Sequence, residues 1–77
     1  MIIQHDNKTH QTTVNNAEMV RQVAVAAAIA AGGGSATVQA AIKTAEAAFY
    51  RSAIASGVAN NAPSNDFRVA LHDLTGQ

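Results

Sequence analysis

The feature that most constrains this chain is a stretch of twenty residues without a charge, VAVAAAIAAGGGSATVQAAI, which runs from Val23 to Ile42. Alanine is the best helix former, and consecutive glycines end a helix because each loses much conformational freedom on ordering. The stretch therefore predicts two alanine-rich helices joined by a turn at residues 32–34. Small side chains also let backbones approach closely, so this pattern concerns packing and assembly more than chemistry.

The length of the chain points to self-association. Its 77 residues make one domain, 1–77, and a chain of this size buries only about 60% of its unfolded surface. It has no cysteine, so disulfides and thiolate metal sites are excluded, and a reducing, cytoplasmic location is expected. Oligomerisation is the remaining way to stabilise so small a core. The sequence thus predicts a small homo-oligomer.

The charge balance narrows the class of partner. Lysine plus arginine equal aspartate plus glutamate at five each, and a neutral chain has no field that attracts nucleic acid or an acidic membrane. The glycine break and the weak lipid preference of alanine argue against a membrane span, and the polar segment before it argues against a signal peptide. A protein partner in the cytoplasm is expected, with no cofactor.

Turn and capping signals predict an all-α fold. Residues 1–14 are predicted as an N-terminal arm or a hairpin of strands 2–5 and 9–14. Asn15 or Asn16 is expected to cap a first helix over 17–31, and Ser35 a second over 36–56. Pro63 and Ser64 open a short third helix over 65–74, which Gly76 ends. The short glycine turn makes the first two helices an antiparallel hairpin.

Apolar periodicity assigns the faces of these helices. The expected core is Val20, Val23, Ala27, Val38, Ile42, Ala45, Phe49, Phe67 and Leu71. The first helix is apolar on more than one side, which is typical of a helix that is buried on more than one side. Val25 and Ile29, on roughly the opposite face from Val23, are therefore the predicted oligomer interface.

Patterns that carry chemistry are weak, which predicts that the protein is not an enzyme. His5, Asp6 and His10 match no strong zinc spacing, so no metal site is expected. There is no nucleophile elbow, no paired carboxylates in an apolar setting and no P-loop. Ser52 and Ser56 are expected to serve as small polar packing residues.

Two alternatives to protein binding follow from the glycine turn. Ala28, Gly32 and Val38 have the spacing of a helix-turn-helix motif, which would make the second helix a DNA reader. The turn also opens a helix whose free amides could hold an anion, so an oligomer that sequesters a nucleotide, with Lys43 as a contact, is the other alternative. Few positive charges support the first, and the glycines lack the following lysine of a P-loop.

The predicted partner-binding residues are those that the core does not need. Tyrosine and arginine dominate binding hot spots, and Lys43, Tyr50 and Arg51 lie off the apolar stripe of the second helix. Arg68 lies on the polar side of the third. The sequence predicts that these four side chains contact a partner protein.

The second half of the chain carries a resemblance. The segments AEAAFYRSAIASGVANN and PSNDFRVALHDLTGQ, within residues 45–77, resemble small accessory proteins of bacteriophages and prophages, although the basic recognition helix of phage repressors is missing. The resemblance implies a dispensable protein that binds a host component stoichiometrically, as anti-CRISPR and other anti-defence inhibitors do. It implies no particular functional residue.

Overall fold

The computed structural model describes residues 7–76, which form three α-helices and no strand. These are α1 (Asn7–Ala31), α2 (Ser35–Ala59) and α3 (Asn65–Thr75). Each of the first two spans 25 residues, or about 37 Å at 1.5 Å per residue. The predicted all-α architecture and its three helices are confirmed.

The start of α1 differs from the sequence prediction. Residues 9–14, expected as a strand, belong to the helix, and Asn15 and Asn16 lie inside it instead of capping it. Glu18 does not close a capping box, because its carboxylate accepts hydrogen bonds from Arg21 and Gln22. A helix over these polar residues satisfies the hydrogen-bonding groups of its own backbone, and it can pack against α2. The predicted strand over 2–5 lies outside the described residues.

The glycine turn between α1 and α2 forms as predicted. Gly32, Gly33 and Gly34 all have positive φ, at 67°, 97° and 98°, a region that residues with a Cβ adopt only at a cost. The N–H of Val38 donates to the carbonyl of Gly34 at 3.0 Å. Ser35 is the first residue of α2 and makes no capping bond, since Gly34 is the N-cap.

The turn between α2 and α3 is more elaborate than the sequence predicts. The helix α2 continues three residues beyond the predicted end at 56, and Gly57 is buried within it. The N–H of Ala62 returns to the carbonyl of Gly57 at 2.8 Å, and Asn61 adopts a positive φ of 54°. The third helix ends as expected, with Gly76 left-handed at φ 75° and its N–H bonded to the carbonyl of His72.

The helices lie side by side, with α2 in the middle. Both α1 and α3 pack on α2, and in the described part of the chain they do not pack on each other. The body is elongated, with extents of 55, 24 and 12 Å. Its radius of gyration is 14.5 Å, against about 11.5 Å expected for a compact domain of this length.

The buried interior is small. Among the described residues only Ala47, Ala53, Ser56 and Gly57 are buried. The predicted core residues Val38, Ile42, Ala45, Phe49, Phe67 and Leu71 are half-buried. The other three core predictions are wrong, since Val20 and Val23 are each 69% exposed and Ala27 is exposed as well.

Candidate functional site

The α2–α3 groove brings two of the predicted partner residues together. Arg51 on α2 and Arg68 on α3 line a groove of about 410 Å³. Its remaining lining is apolar, from Ile54, Ala55 and Leu71. We call this surface, formed by these five residues, the arginine groove.

Both guanidinium groups of the arginine groove are available to a partner. Arg51 and Arg68 are exposed, and neither forms an ion pair with another described residue. Arg68 donates a single 3.3 Å hydrogen bond from Nε to the hydroxyl of Ser64, which holds its stem beside the first turn of α3. Guanidinium groups bind carboxylates in a bidentate manner, so this groove suits an acidic, partly apolar segment.

The other two predicted partner residues lie elsewhere. Lys43 is exposed and lines a separate groove with Glu46 and Leu74 near the start of α2. Tyr50 is half-buried, and its ring packs edge-on against Phe49 with centroids 5.6 Å apart. Phe67 of α3 meets Phe49 in the same way at 6.0 Å. The tyrosine thus packs against Phe49, the residue whose ring joins α2 to α3.

A polar contact that the sequence does not predict joins the first turns of α1 to the last turns of α2. The Nδ1 atom of His10 lies 2.9 Å from the hydroxyl oxygen of Ser56, across 46 residues of chain. Asn60 donates from Nδ2 to the carbonyl of Ser56 at 2.9 Å. Ser56 is only 7% exposed, so the contact ties the helices together in a buried setting. No local pattern could have found it.

The same contact fixes the direction of the hairpin. His10 lies 22 residues before Gly32 and Ser56 lies 22 residues after Gly34, and the two side chains meet. The helices α1 and α2 are thus antiparallel over nearly their full lengths. A helix-turn-helix motif instead crosses its helices at about 90–120°.

A second polar cluster lies on α1 itself. The carboxylate of Glu18 accepts hydrogen bonds from both Nε and Nη2 of Arg21, the former at 2.9 Å. The hydrogen bond from Arg21 lowers the pKa of Glu18, with a further contribution from Gln22. The same pair raises the pKa of Arg21. This pair neutralises the last charges before the apolar half of α1.

The predicted oligomer residues have different surroundings. Ile29 is 61% exposed, as an interface residue in a single chain should be. Val25 is half-buried within its own chain, because its side of α1 turns towards α2. The most exposed large apolar side chains of α1 are Met19, Val20 and Val23, slightly ahead of Ile29.

The metal and membrane predictions can be examined only in part. Within residues 7–76 no cluster of histidine and acidic side chains is arranged to hold a metal ion; His5 and Asp6 lie outside the described residues. No helix in this part of the chain has both the length and the hydropathy needed to cross a bilayer.

Comparison with known proteins gives no match: no family model, no curated protein and no solved structure matches the chain.

Proposed function

We propose that this chain is a binding protein that docks an acidic, partly apolar segment of another protein in the arginine groove. The supporting observation is that Arg51 and Arg68, 17 positions apart in sequence, flank one apolar floor and have no acidic partner in the described chain. Arginines at the edge of an apolar pocket are frequent hot spots of protein interfaces. Under this proposal the protein has no catalytic role.

The finer proposal is that the partner is a host protein and that the chain is a phage-type accessory inhibitor, for example an anti-defence protein, acting in the host cytoplasm. The sequence resemblance over 45–77 includes every residue of the arginine groove. A stoichiometric inhibitor needs a binding surface and no chemistry, which agrees with the absence of catalytic motifs in the sequence.

Binding is tested with two synthetic helical peptides, one alternating glutamate with leucine and one with each glutamate replaced by glutamine. The acidic peptide should bind in a salt-dependent manner, and the neutral peptide should bind at least tenfold more weakly, a difference of about 1.4 kcal/mol. The double variant Arg51→Ala/Arg68→Ala should lose the preference for the acidic peptide. Lys43→Ala is the matched control, since that lysine lies outside the groove. This variant should retain the preference for the acidic peptide. Equal binding of both peptides contradicts the proposal.

The inhibitor proposal is tested in cells that restrict a plaque-forming phage. Expression of the wild-type protein should raise the number of plaques, the double arginine variant should not, and Lys43→Ala should act like wild type. Binding of DNA duplex or a thermal shift with nucleotide, in place of peptide binding, would instead support one of the two sequence alternatives.

A further inference from the structure

Three of the six large apolar side chains that are exposed in the described part of the chain lie on one side of α1. We call it the α1 outer face and define it by Met19, Val20, Val23, Ala26, Ala27 and Ala30. All six are exposed, with Met19 at 63% and the two valines at 69% each. These side chains share one side of the helix because residues three, four and seven positions apart do so.

The α1 outer face carries no charge. No charged residue follows Arg21 on α1, and Arg21 is already paired with Glu18. The face therefore offers nothing to nucleic acid or to an acidic segment, and its chemistry differs from that of the arginine groove. Its partner must be apolar and uncharged over a length of about 18 Å, the rise of twelve helical residues.

The accessible surface of the chain is larger than that of a compact monomer of the same mass. A folded monomer of 7.9 kDa exposes about 4,400 Å², whereas this chain exposes 5313 Å². The excess of about 900 Å² is close to the roughly 800 Å² that each partner contributes to a standard stable interface. The excess belongs to the whole elongated chain, of which the α1 outer face is one part, and an interface of standard size is large enough to cover it.

We propose that the α1 outer face binds the same face of a second copy, so that two α1 helices pack antiparallel about a two-fold axis near Val23. An isologous contact matches an uncharged face with an uncharged face. The antiparallel arrangement places the Glu18–Arg21 pair of each copy beside the alanine end of the other copy. Like charges are thereby kept apart.

The surface next to the face can receive side chains from the second copy. A hollow of about 170 Å³ between α1 and α2 has Arg21, Ala24, Ala45, Ala48 and Ser52 in its lining, and it shares Val20 with the α1 outer face. Alanine at these positions lets two helices approach to about 8–10 Å. A small side chain from the second copy suits such a shallow hollow.

This interface lies more than a third of a turn around α1 from the one predicted by sequence. Val25 is half-buried against its own chain, and Ile29 is exposed but lies outside the α1 outer face. The proposal does not require that the arginine groove have a partner, because the two surfaces share no residue.

Sedimentation of the full chain at tens of micromolar tests the proposal. The wild-type protein should have twice the mass of one chain. Val23→Glu should be monomeric, since it would bury an unpaired carboxylate. Val69→Glu makes the same change at a valine that is 52% exposed on α3, and it should remain dimeric, as should Arg51→Ala/Arg68→Ala.

A cysteine variant tests the geometry independently of the glutamate variants. The chain has no cysteine, so Val23→Cys introduces a single thiol near the proposed axis. Under mild oxidation it should form a covalent dimer in high yield, and Val69→Cys should not. Monomeric wild type, or equal cross-linking at the two positions, overturns the proposal.

Discussion

Where α2 turns into α3, side chains and backbone from all three helices are tied together, whereas on the outer side of α1 the large side chains face outwards. At the turn, His10, Ser56 and Asn60 make hydrogen bonds and Phe49 packs on Phe67. On the α1 outer face, Met19 and Val23 are at least 63% exposed. The first region is completed within one chain, and the second has apolar surface left over.

The difference teaches that this chain divides its stability between two sources. The contacts at the α2–α3 turn are specific, but they bury only residues no larger than serine. Small buried side chains remove little apolar area from water, so they contribute little free energy each. If the comparison is right, substitutions at the turn should destabilise each chain, and substitutions on the α1 outer face should alter assembly first.

Phe49→Ala should have the largest effect on the single chain. Phe49 makes edge-on contacts with both Tyr50 and Phe67, and its loss should cost about 3 kcal/mol of unfolding free energy. The midpoint temperature of thermal unfolding, followed by circular dichroism, should fall by more than about 10 °C. Val58→Ala is the control, because Val58 is 65% exposed on the same helix. Equal melting of the two variants would mean that the aromatic contacts do not hold α3 in place.

Gly57→Ala should have an intermediate effect. A Cβ at this position would lie 2.9 Å from Cβ of Ser64 and 3.1 Å from the carbonyl oxygen of Ala62. Because both neighbours belong to the returning turn, the chain must shift, at a cost of about 1–3 kcal/mol. Denaturant unfolding measures this loss of unfolding free energy. Val58→Ala, at a position of α2 that is 65% exposed, should be neutral, and a stabilised Gly57→Ala would show that the turn is loose.

The hydrogen bond between His10 and Ser56 should have the smallest effect of the three. A typical intramolecular hydrogen bond contributes about 0.5–1.5 kcal/mol. A double-mutant cycle with His10→Ala and Ser56→Ala isolates the contribution. A coupling free energy of about 1 kcal/mol is expected, whereas additive effects would show that the first turns of α1 are not tied to α2.

Local signals predicted the parts of the fold that a few neighbouring residues decide. Three adjacent glycines could only make a turn, and Gly76 could only end a helix, because both depend on backbone conformations that glycine adopts freely. The predicted start of α1 was wrong because it, too, rested on local signals alone. Residues 9–14 are β-branched and polar, and their local preference for a strand is overridden by packing against α2.

The sequence by itself determined that this protein is an all-α chain with an alanine-rich hairpin, and that Arg51 and Arg68 lie off its core. Only the tertiary structure decided which side of α1 faces α2, since a helix apolar all round has no periodicity to choose by. The structure placed Val20 and Val23 outside, because the smaller residues Ala24 and Ala28 let α1 lie closer to α2. It also joined Arg51 to Arg68 and His10 to Ser56, pairs separated by 17 and 46 residues, because contacts at such separations depend on helix packing and not on neighbouring sequence.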